Sequence, residues 1–192
     1  MGTYAYQATG EVFIETGTYR GDSLAAAAVQ FPLCHSIEWD YDLYRAALVR
    51  FEDQPGVKLW HGSSPQLLRP LCDPRQVTVF WLDAHFMADR DGMAMHDPAY
   101  GQCPLLAELA VIAAVPWQSA VTVLIDDAHL FGEAFWTDPA DADGTVAVGE
   151  HRTLRQGLKR AEWPTEAQLR SILPEWSCEP VEGSVLRLER FW

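Results

Sequence analysis

Short apolar runs alternate with helix-like segments over the first two thirds of the chain. The apolar runs have the length of buried strands and lie at residues 12–14, 33–38, 57–62, 77–85 and 119–129. The segments between them carry strong helix formers or apolar residues at helical spacing, at residues 23–31, 40–53, 65–71 and 103–114. Continuous apolar runs are typical of strands covered on both faces, as in a parallel sheet. The alternation therefore predicts a doubly wound α/β fold.

The C-terminal part has a different pattern. Residues 131–154 are acidic and turn-rich, which predicts a long surface loop. A helix is predicted between Pro164 and Pro174, followed by two short strands that join near Glu182 and Gly183. We therefore expect a C-terminal antiparallel hairpin at the end of the parallel sheet. No linker divides the chain, so residues 1–192 are expected to form a single domain.

The composition excludes several classes of partner. The formal net charge of −13 repels a phosphate backbone, and no Lys/Arg cluster offsets it. The N-terminal residues lack the pattern of a signal peptide, and no apolar run has the length of a membrane span. The cysteines are scattered, which favours reduced thiols over a zinc site or disulfides. We expect a cytoplasmic protein that binds neither nucleic acid nor membranes, and the sequence is compatible with a homodimer.

An acid, two glycines and a helix start follow the first apolar run. Glu15 ends the run, and Gly17 and Gly21 come next. Ser23 or Asp22 can cap the helix after them. The glycines let the chain turn tightly and approach a ligand without a side chain in between. A plain strand-to-helix turn would explain the same residues, so the turn alone does not decide between a ligand site and a structural role.

Glu38, at the end of the second predicted strand, adds to this pattern. It lies about 20 residues beyond Gly17, a spacing that suits a carboxylate accepting hydrogen bonds from ribose hydroxyls. Its alternative role is that of a solvated acid. Thr18 and Tyr19 fill the turn and Glu15 would repel a phosphate, so a dinucleotide is disfavoured. An acid beside the turn suits a cation, and S-adenosylmethionine carries both an amino group and a sulfonium.

Five segments of the chain resemble, in order, the motifs of class I S-adenosylmethionine-dependent methyltransferases. They are "IETGTYRGDS", "SIEWD", "HGSSPQLL", "FWLDAH" and "VLIDDAH". The similarity is greatest to metal-dependent small-molecule O-methyltransferases of the catechol and macrocin type. The first motif of the catechol enzymes runs Glu-x-Gly-x-Tyr-x-Gly-x-Ser, which matches Glu15, Gly17, Tyr19, Gly21 and Ser23. The resemblance covers residues 12–129 and implies a Rossmann-like, mostly parallel sheet in a three-layer sandwich.

The resemblance also implies roles for the matching residues. Those expected around the methionine part of S-adenosylmethionine are Glu15, Gly17, Tyr19 and Ser23. Gly21 and Asp83 are also expected to bind the cofactor. Glu38 would hold the ribose hydroxyls, and Trp39 would pack on the adenine face. Ser63 and Ser64 occupy the loop that contacts the adenine edge in this family.

Three acids follow neighbouring predicted strands. Asp83 ends the fourth strand, and Asp126 and Asp127 end the fifth. Adjacent strands lie about 4.8 Å apart, so the three carboxylates can converge, and Mg²⁺ or Mn²⁺ would relieve their repulsion. The alternative is that one acid points inward while the others cap loops. The catechol-type family carries Asp, Asp and Asn as metal ligands here, so Asp127 is a departure from its pattern.

The general base is a second departure from the family. The catechol enzymes use a lysine three residues after the first metal-binding Asp, and that place is Phe86 here. His85 and His129 lie beside the acids and have a suitable intrinsic pKa. Either histidine could equally be a metal ligand or a structural residue.

These features together predict a metal-assisted O-methyltransferase for a small hydroxylated metabolite, plausibly in a biosynthetic pathway. The metal would lower the pKa of the substrate hydroxyl and orient its oxygen. Two alternatives stay open: the same fold used for metal-free N-methylation or other chemistry of the cofactor, and a catalytically silent nucleoside-binding module. Residues 86–102 could form a lid over the substrate, or a solvated loop.

Overall fold

The structure is a computed structural model that describes residues 8–88, 94–131, 160–181 and 185–190. Within these ranges seven strands form one sheet: β1 (Val12–Thr16), β2 (Leu33–Glu38), β3 (Val57–His61), β4 (Thr78–Leu82), β5 (Val121–Ile125), β6 (Ser177–Val181) and β7 (Val185–Arg190). Five α-helices accompany them: α1 (Asp22–Ala27), α2 (Tyr41–Arg50), α3 (Ser64–Leu71), α4 (Leu105–Ala113) and α5 (Glu166–Ile172).

The strand order is β3-β2-β1-β4-β5-β7-β6. Strands β1 to β5 are parallel, whereas β7 is antiparallel to both β5 and β6. The order reverses between β1 and β4, and ligands of doubly wound sheets bind at the carboxyl ends of the strands at such a point. The predicted fold, including the C-terminal hairpin, is confirmed.

Two apolar cores lie on opposite faces of the sheet. One packs α1 and α2 through buried residues such as Leu24, Ala27 and Ala47. The other packs α3, α4 and α5 through Leu68, Leu109, Leu169 and their neighbours. The sheet is therefore the middle layer of a three-layer sandwich, and strands β1 and β4 are buried at every position.

The start and end of α1 differ from the sequence prediction. Its N-cap is Gly21, in the left-handed conformation with φ 77°, and no side chain caps it. Ser23 instead donates a hydrogen bond to Glu15. The helix ends at Ala27 rather than near residue 31, and the chain continues as turns in which the N–H groups of Gln30 and Phe31 both donate to the carbonyl of Ala27.

The segment after β4 is partly regular. Met87–Ala88 and Ala94–Met95 pair as a short antiparallel ribbon, and Pro98–Tyr100 form a 3₁₀ turn. Residues 89–93 of the predicted lid, residues 132–154 of the predicted acidic loop and the hairpin connection at 182–184 lie outside the described residues. Among the helices that the structure describes, none is both long and apolar enough to cross a membrane.

Candidate active site

An open cavity lies at the carboxyl ends of β1, β2 and β4, where the strand order reverses. Its volume is about 680 Å³ including the open solvent at its mouth. Seven of the residues singled out from the sequence line it, namely Gly17, Tyr19, Glu38, Trp39, Ser64, Asp83 and His85. The lining does not include Glu15, Gly21, Ser23, Ser63, Asp126 or Asp127.

The turn after β1 is built around Gly17. Its φ is 83°, and a Cβ atom there would lie 2.6 Å from the carbonyl oxygen of Asp83. The N–H of Gly17 donates to the carbonyl of Ile37 at 2.9 Å, and the N–H of Asp83 donates to the carbonyl of Thr16 at 3.1 Å. The turn therefore rests directly on the main chain after β4, and a side chain at position 17 would separate the two.

Glu15 lies behind this turn and is fully buried. Ser23 donates to its Oε1, and Ser36 donates to its Oε2 at 2.5 Å. The Oγ1 of Thr18 lies 2.6 Å from the Oγ of Ser36 and extends the network. Burial raises the pKa of Glu15 to about 8, although the two serine hydrogen bonds oppose the shift. Both oxygens of Glu15 therefore serve the fold, and the residue supports the turn from inside.

Glu38 and Trp39 form the wall at the end of β2. The Oε2 of Glu38 accepts from the N–H of Tyr19 and its Oε1 from the N–H of Asp40, each at 2.8 Å. Burial raises the pKa of Glu38, and these backbone hydrogen bonds oppose the shift. Trp39 is 42% exposed, so its ring is accessible from the cavity. The two residues present a fixed acceptor beside an aromatic surface.

Glu108, which the sequence analysis missed, lies beneath the loop that leads into α3. It is 1% exposed and accepts a hydrogen bond from Ser64. Burial raises the pKa of Glu108 to about 7, against the opposing hydrogen bonds from Ser64 and Thr16. Ser63, next to Ser64, is buried, and its Oγ has no partner among the described residues. A single acid in the otherwise apolar "LLAELAVIA" helix was the signal that could have identified Glu108.

The acids after β4 and β5 are held by a histidine. The Nε2 of His85 lies 2.9 Å from Oδ1 of Asp83 and 3.1 Å from Oδ2 of Asp127. Both are ion-pair distances, and neither contact has the angle of a hydrogen bond. Burial lowers the pKa of His85, but Asp127 and Asp83 outweigh it and raise the pKa well above the usual range. The Nδ1 of His85 lies 3.2 Å from the carbonyl oxygen of Phe86. A protonated imidazole fits this position, because both ring nitrogens lie within 3.2 Å of acceptor oxygens.

The third acid, Asp126, is turned toward the backbone. Its Oδ1 accepts from the N–H of Asp127 at 2.7 Å, and Asp127 has a left-handed φ of 51°. Burial raises the pKa of Asp126 to about 6, and the charges of Asp83 and Asp127 add to the shift. Asp126 therefore does not join Asp83 and Asp127 around His85.

The expected Mg²⁺ or Mn²⁺ site is not supported by this arrangement. Among the described residues, no group of three His, Cys, Asp or Glu side chains could hold a metal ion. The physical reason is that the imidazolium of His85 lies between Asp83 and Asp127, where a cation would have to bind. His129 lies in the 3₁₀ turn Ala128–Phe131, and its side chain falls outside the described part of the structure.

Comparisons with known proteins bear on the fold. No protein-family model matches the chain, and no curated protein matches it in sequence. An O-methyltransferase family protein from Burkholderia thailandensis is similar in structure, with a TM-score of 0.52 and 12% identity over 97% of this chain and 52% of that one. The O-methyltransferase TomG from Streptomyces achromogenes, involved in tomaymycin synthesis and solved with S-adenosylmethionine, has a TM-score of 0.51 and 16% identity over 94% and 73%. The 23S rRNA methyltransferase ErmE has a TM-score of 0.54 and 14% identity over 97% and 65%.

The chain has the fold of the class I S-adenosylmethionine-dependent methyltransferases. The identities are low, so these similarities establish the fold and leave the substrate open. This chain spans about half the length of the Burkholderia protein. Within the methyltransferase fold, the cavity described above occupies the place where doubly wound sheets bind their ligands.

Proposed function

We propose that this chain is an S-adenosylmethionine-dependent methyltransferase that methylates a hydroxyl group of a small molecule. The observation that carries the proposal is the cavity itself, in which the Gly17 turn, the Glu38 carboxylate and the Trp39 ring lie beside the paired acid Asp83. The net charge of −13 favours a small acceptor over the rRNA on which a protein such as ErmE acts.

The cofactor fits the wall at the end of β2. Each oxygen of Glu38 accepts one backbone N–H and has a lone pair left for a ribose hydroxyl. Trp39 would offer its exposed face to the adenine ring and Ser64 would lie by the adenine edge, whereas Ser63 is buried and does not line the cavity. Gly17, Tyr19 and Asp83 would hold the methionine part, while Glu15, Gly21 and Ser23 support the turn outside the lining. When bound, S-adenosylmethionine supplies a methyl group on a positively charged sulfur.

Asp83 is the residue that handles the acceptor's proton in this proposal. Its side chain is 33% exposed and borders the cavity. Asp83 would take the proton released when the acceptor's O–H bond breaks, while the methyl group would leave the sulfonium by cleavage of its S–CH₃ bond, with S-adenosylhomocysteine as the other product. His85 lies against Asp83 and Asp127 and would orient both acids by charge. The contribution of His129 is left to experiment.

The proposal routes no step through a metal ion, because His85 occupies the space between the two acids that would bind it. A metal-assisted reaction, the expectation from the catechol-type resemblance, requires His85 to leave this position. Whether activity requires a metal ion therefore distinguishes metal-free from metal-assisted methyl transfer. Transfer to nitrogen and a silent binding module are the further alternatives that an assay must distinguish.

Calorimetry and a transfer assay test the proposal in sequence. We expect S-adenosylhomocysteine to bind at one site per chain and NAD not to bind. Labelled S-adenosylmethionine should then transfer its methyl group to hydroxylated small molecules, and amines without a hydroxyl should not be labelled. Transfer should persist in EDTA, and Asp83→Asn should abolish it, whereas the exposed control Glu52→Gln should not. Binding of NAD in place of S-adenosylhomocysteine would overturn the assignment.

A further inference from the structure

Asp97, which lines the cavity, has one carboxylate oxygen without a partner among the described residues. Asp97 is 7% exposed and lines the cavity. Its Oδ1 accepts from the N–H of Ala99 at 2.9 Å and so caps the 3₁₀ turn Pro98–Tyr100. Its Oδ2 is buried and has no hydrogen-bond partner in the described structure. A buried carboxylate oxygen in this state is stabilised by a ligand that donates to it.

His96 gives a second, independent observation at the same wall. Its Nδ1 is buried and also lacks a partner among the described residues, and the residue lines the cavity next to Asp97. The ring packs edge-on against Phe86, with 5.4 Å between the ring centroids. Two adjacent polar side chains are therefore held in the wall with atoms that the fold leaves unsatisfied.

The wall that carries these two residues is anchored to the C-terminal part of the chain. Gln102 is 2% exposed, and its carbonyl accepts from the N–H of Phe86 at 2.6 Å. The N–H of Gln102 donates to Glu162 at 3.0 Å, and its Oε1 accepts from the indole of Trp163 at 3.1 Å. The described part of the segment 86–102 is thus a fixed wall, so Asp97 is already in place before a ligand binds.

The three acids that line the cavity differ in how their charge is balanced. Glu38 accepts two backbone hydrogen bonds, and Asp83 is paired with His85. The free oxygen of Asp97 has neither kind of partner. Because a charged donor forms the strongest hydrogen bond to a carboxylate, an ammonium group fits Asp97 better than a neutral group, and a carboxylate is excluded.

We propose that Asp97, assisted by His96, binds a protonated amine on the acceptor, so that the substrate class is a hydroxylated amine. The inference rests on the proposed methyl transfer for the acceptor's hydroxyl group. The binding of the amine itself requires no reaction and can be measured on its own.

Three matched phenols provide the probes. Tyramine carries an ammonium group, tyrosol carries a hydroxyl in its place, and 3-(4-hydroxyphenyl)propionate carries a carboxylate. Each is titrated by calorimetry into the full chain, with and without saturating S-adenosylhomocysteine. We expect tyramine to bind at least about tenfold more tightly than tyrosol, and the propionate not to bind.

Substitutions test whether Asp97 causes the preference for tyramine over tyrosol. Asp97→Asn keeps an amide oxygen that can accept from the N–H of Ala99 and replaces the free oxygen with an NH₂ donor. It should weaken tyramine by at least about tenfold and leave tyrosol and S-adenosylhomocysteine unchanged. His96→Phe keeps the ring contact with Phe86 and should weaken tyramine by a smaller factor. Glu52→Gln removes the same unit of charge from an exposed position and should change none of the affinities.

The alternative outcomes distinguish a failure of the amine site from a failure of the proposed methyl transfer. If Asp97→Asn weakens S-adenosylhomocysteine but not adenosine, Asp97 binds the cofactor's own amino group. If tyramine and the propionate bind alike, or tyramine does not bind at millimolar concentration, Asp97 does not select an amine. If tyramine binds as expected but S-adenosylhomocysteine does not, the amine site stands and the proposed methyl transfer fails.

Discussion

The two acid-bearing ends of the cavity are held in different ways. At the end of β2, Glu38 accepts hydrogen bonds from two backbone N–H groups, so the main chain fixes its position. At the end of β4, Asp83 is fixed by the side chain of His85, which also contacts Asp127. The first arrangement depends on the course of the chain, and the second depends on a single residue.

This difference determines how each end of the cavity responds to amino-acid substitutions. A carboxylate held by the backbone keeps its place when neighbouring side chains are substituted. A pair of acids held by one imidazolium repel each other as soon as that cation is removed. The cofactor end should therefore be disturbed chiefly by changes to the main chain, and the β4 end by changes at His85.

Gly17→Ala should have the largest effect. The added Cβ would lie 2.6 Å from the carbonyl of Asp83 in a left-handed conformation, and we expect unfolding free energy to fall by about 3 kcal/mol, with S-adenosylhomocysteine binding lost. Gly21→Ala is the matched comparison, because φ there is also left-handed at 77° but the added Cβ would meet side-chain atoms, of Phe51 at 2.7 Å and of Arg50 at 3.8 Å, instead of backbone. Denaturant melts and calorimetry measure both; equal cofactor binding by the two variants would contradict the importance of Gly17.

His85→Ala should come next, because it leaves Asp83 and Asp127 without their shared cation. We expect a loss of about 2 kcal/mol in unfolding free energy at neutral pH, discounted from the value for a fully buried pair because both acids are partly exposed. Adding Asp127→Asn should restore part of this stability.

The same variant tests the metal question. With His85 removed, the acids are free to bind a cation, so Mn²⁺ should raise the Tm of His85→Ala and leave the wild type unchanged. A rise in the wild-type Tm would show that a metal displaces His85, which would favour the metal-assisted version of the reaction.

Glu38→Gln should weaken S-adenosylhomocysteine by about tenfold, or about 1.4 kcal/mol, because it removes a charged acceptor for the ribose hydroxyls. Adenine lacks the ribose and should bind both proteins equally. Calorimetry with the two ligands separates the ribose contribution to affinity from the adenine contribution. An equal loss of affinity for adenine would mean that the substitution distorts the whole wall.

The last prediction is a gradual dependence of stability on pH, which is small over any single pH unit. The pKa of Glu15 is raised from 4.5 to about 8 in the fold, so between these values the folded chain holds a proton that the unfolded chain has released. Unfolding free energy should therefore fall as pH rises, by about 1 kcal/mol per pH unit. Denaturant melts from pH 5 to 8 should show this slope, and Glu15→Gln should flatten it; an unchanged slope would mean that another group dominates.

The sequence predicted what depends on local pattern and spacing. The buried strands β1, β2 and β4 and the placement of Glu38 beside the Gly17 turn follow from apolar runs and from the position of the acid at a strand end. The sequence also placed Asp83, Asp126 and Asp127 at one edge of the sheet.

Side-chain pairing across the sheet edge could not be predicted in the same way. The spacing of the acids predicts that they lie close together. It does not say whether a metal ion or a histidine balances their charge, so the position of His85 between Asp83 and Asp127 was not predicted. Glu108 and Ser64 lie far apart in the sequence and meet only when α3 packs on α4. The unsatisfied atoms of His96 and Asp97 likewise become visible only once their other partners are known.

The contact between Gly17 and Asp83 bears on the order in which the two ligands bind. Since the turn proposed to bind the cofactor rests on the residue proposed to take the acceptor's proton, we expect the acceptor's side of the cavity to be complete only once the turn has closed on the donor. This arrangement favours a compulsory-order kinetic mechanism with the donor first. Product inhibition by S-adenosylhomocysteine should then be competitive toward S-adenosylmethionine and non-competitive toward the acceptor.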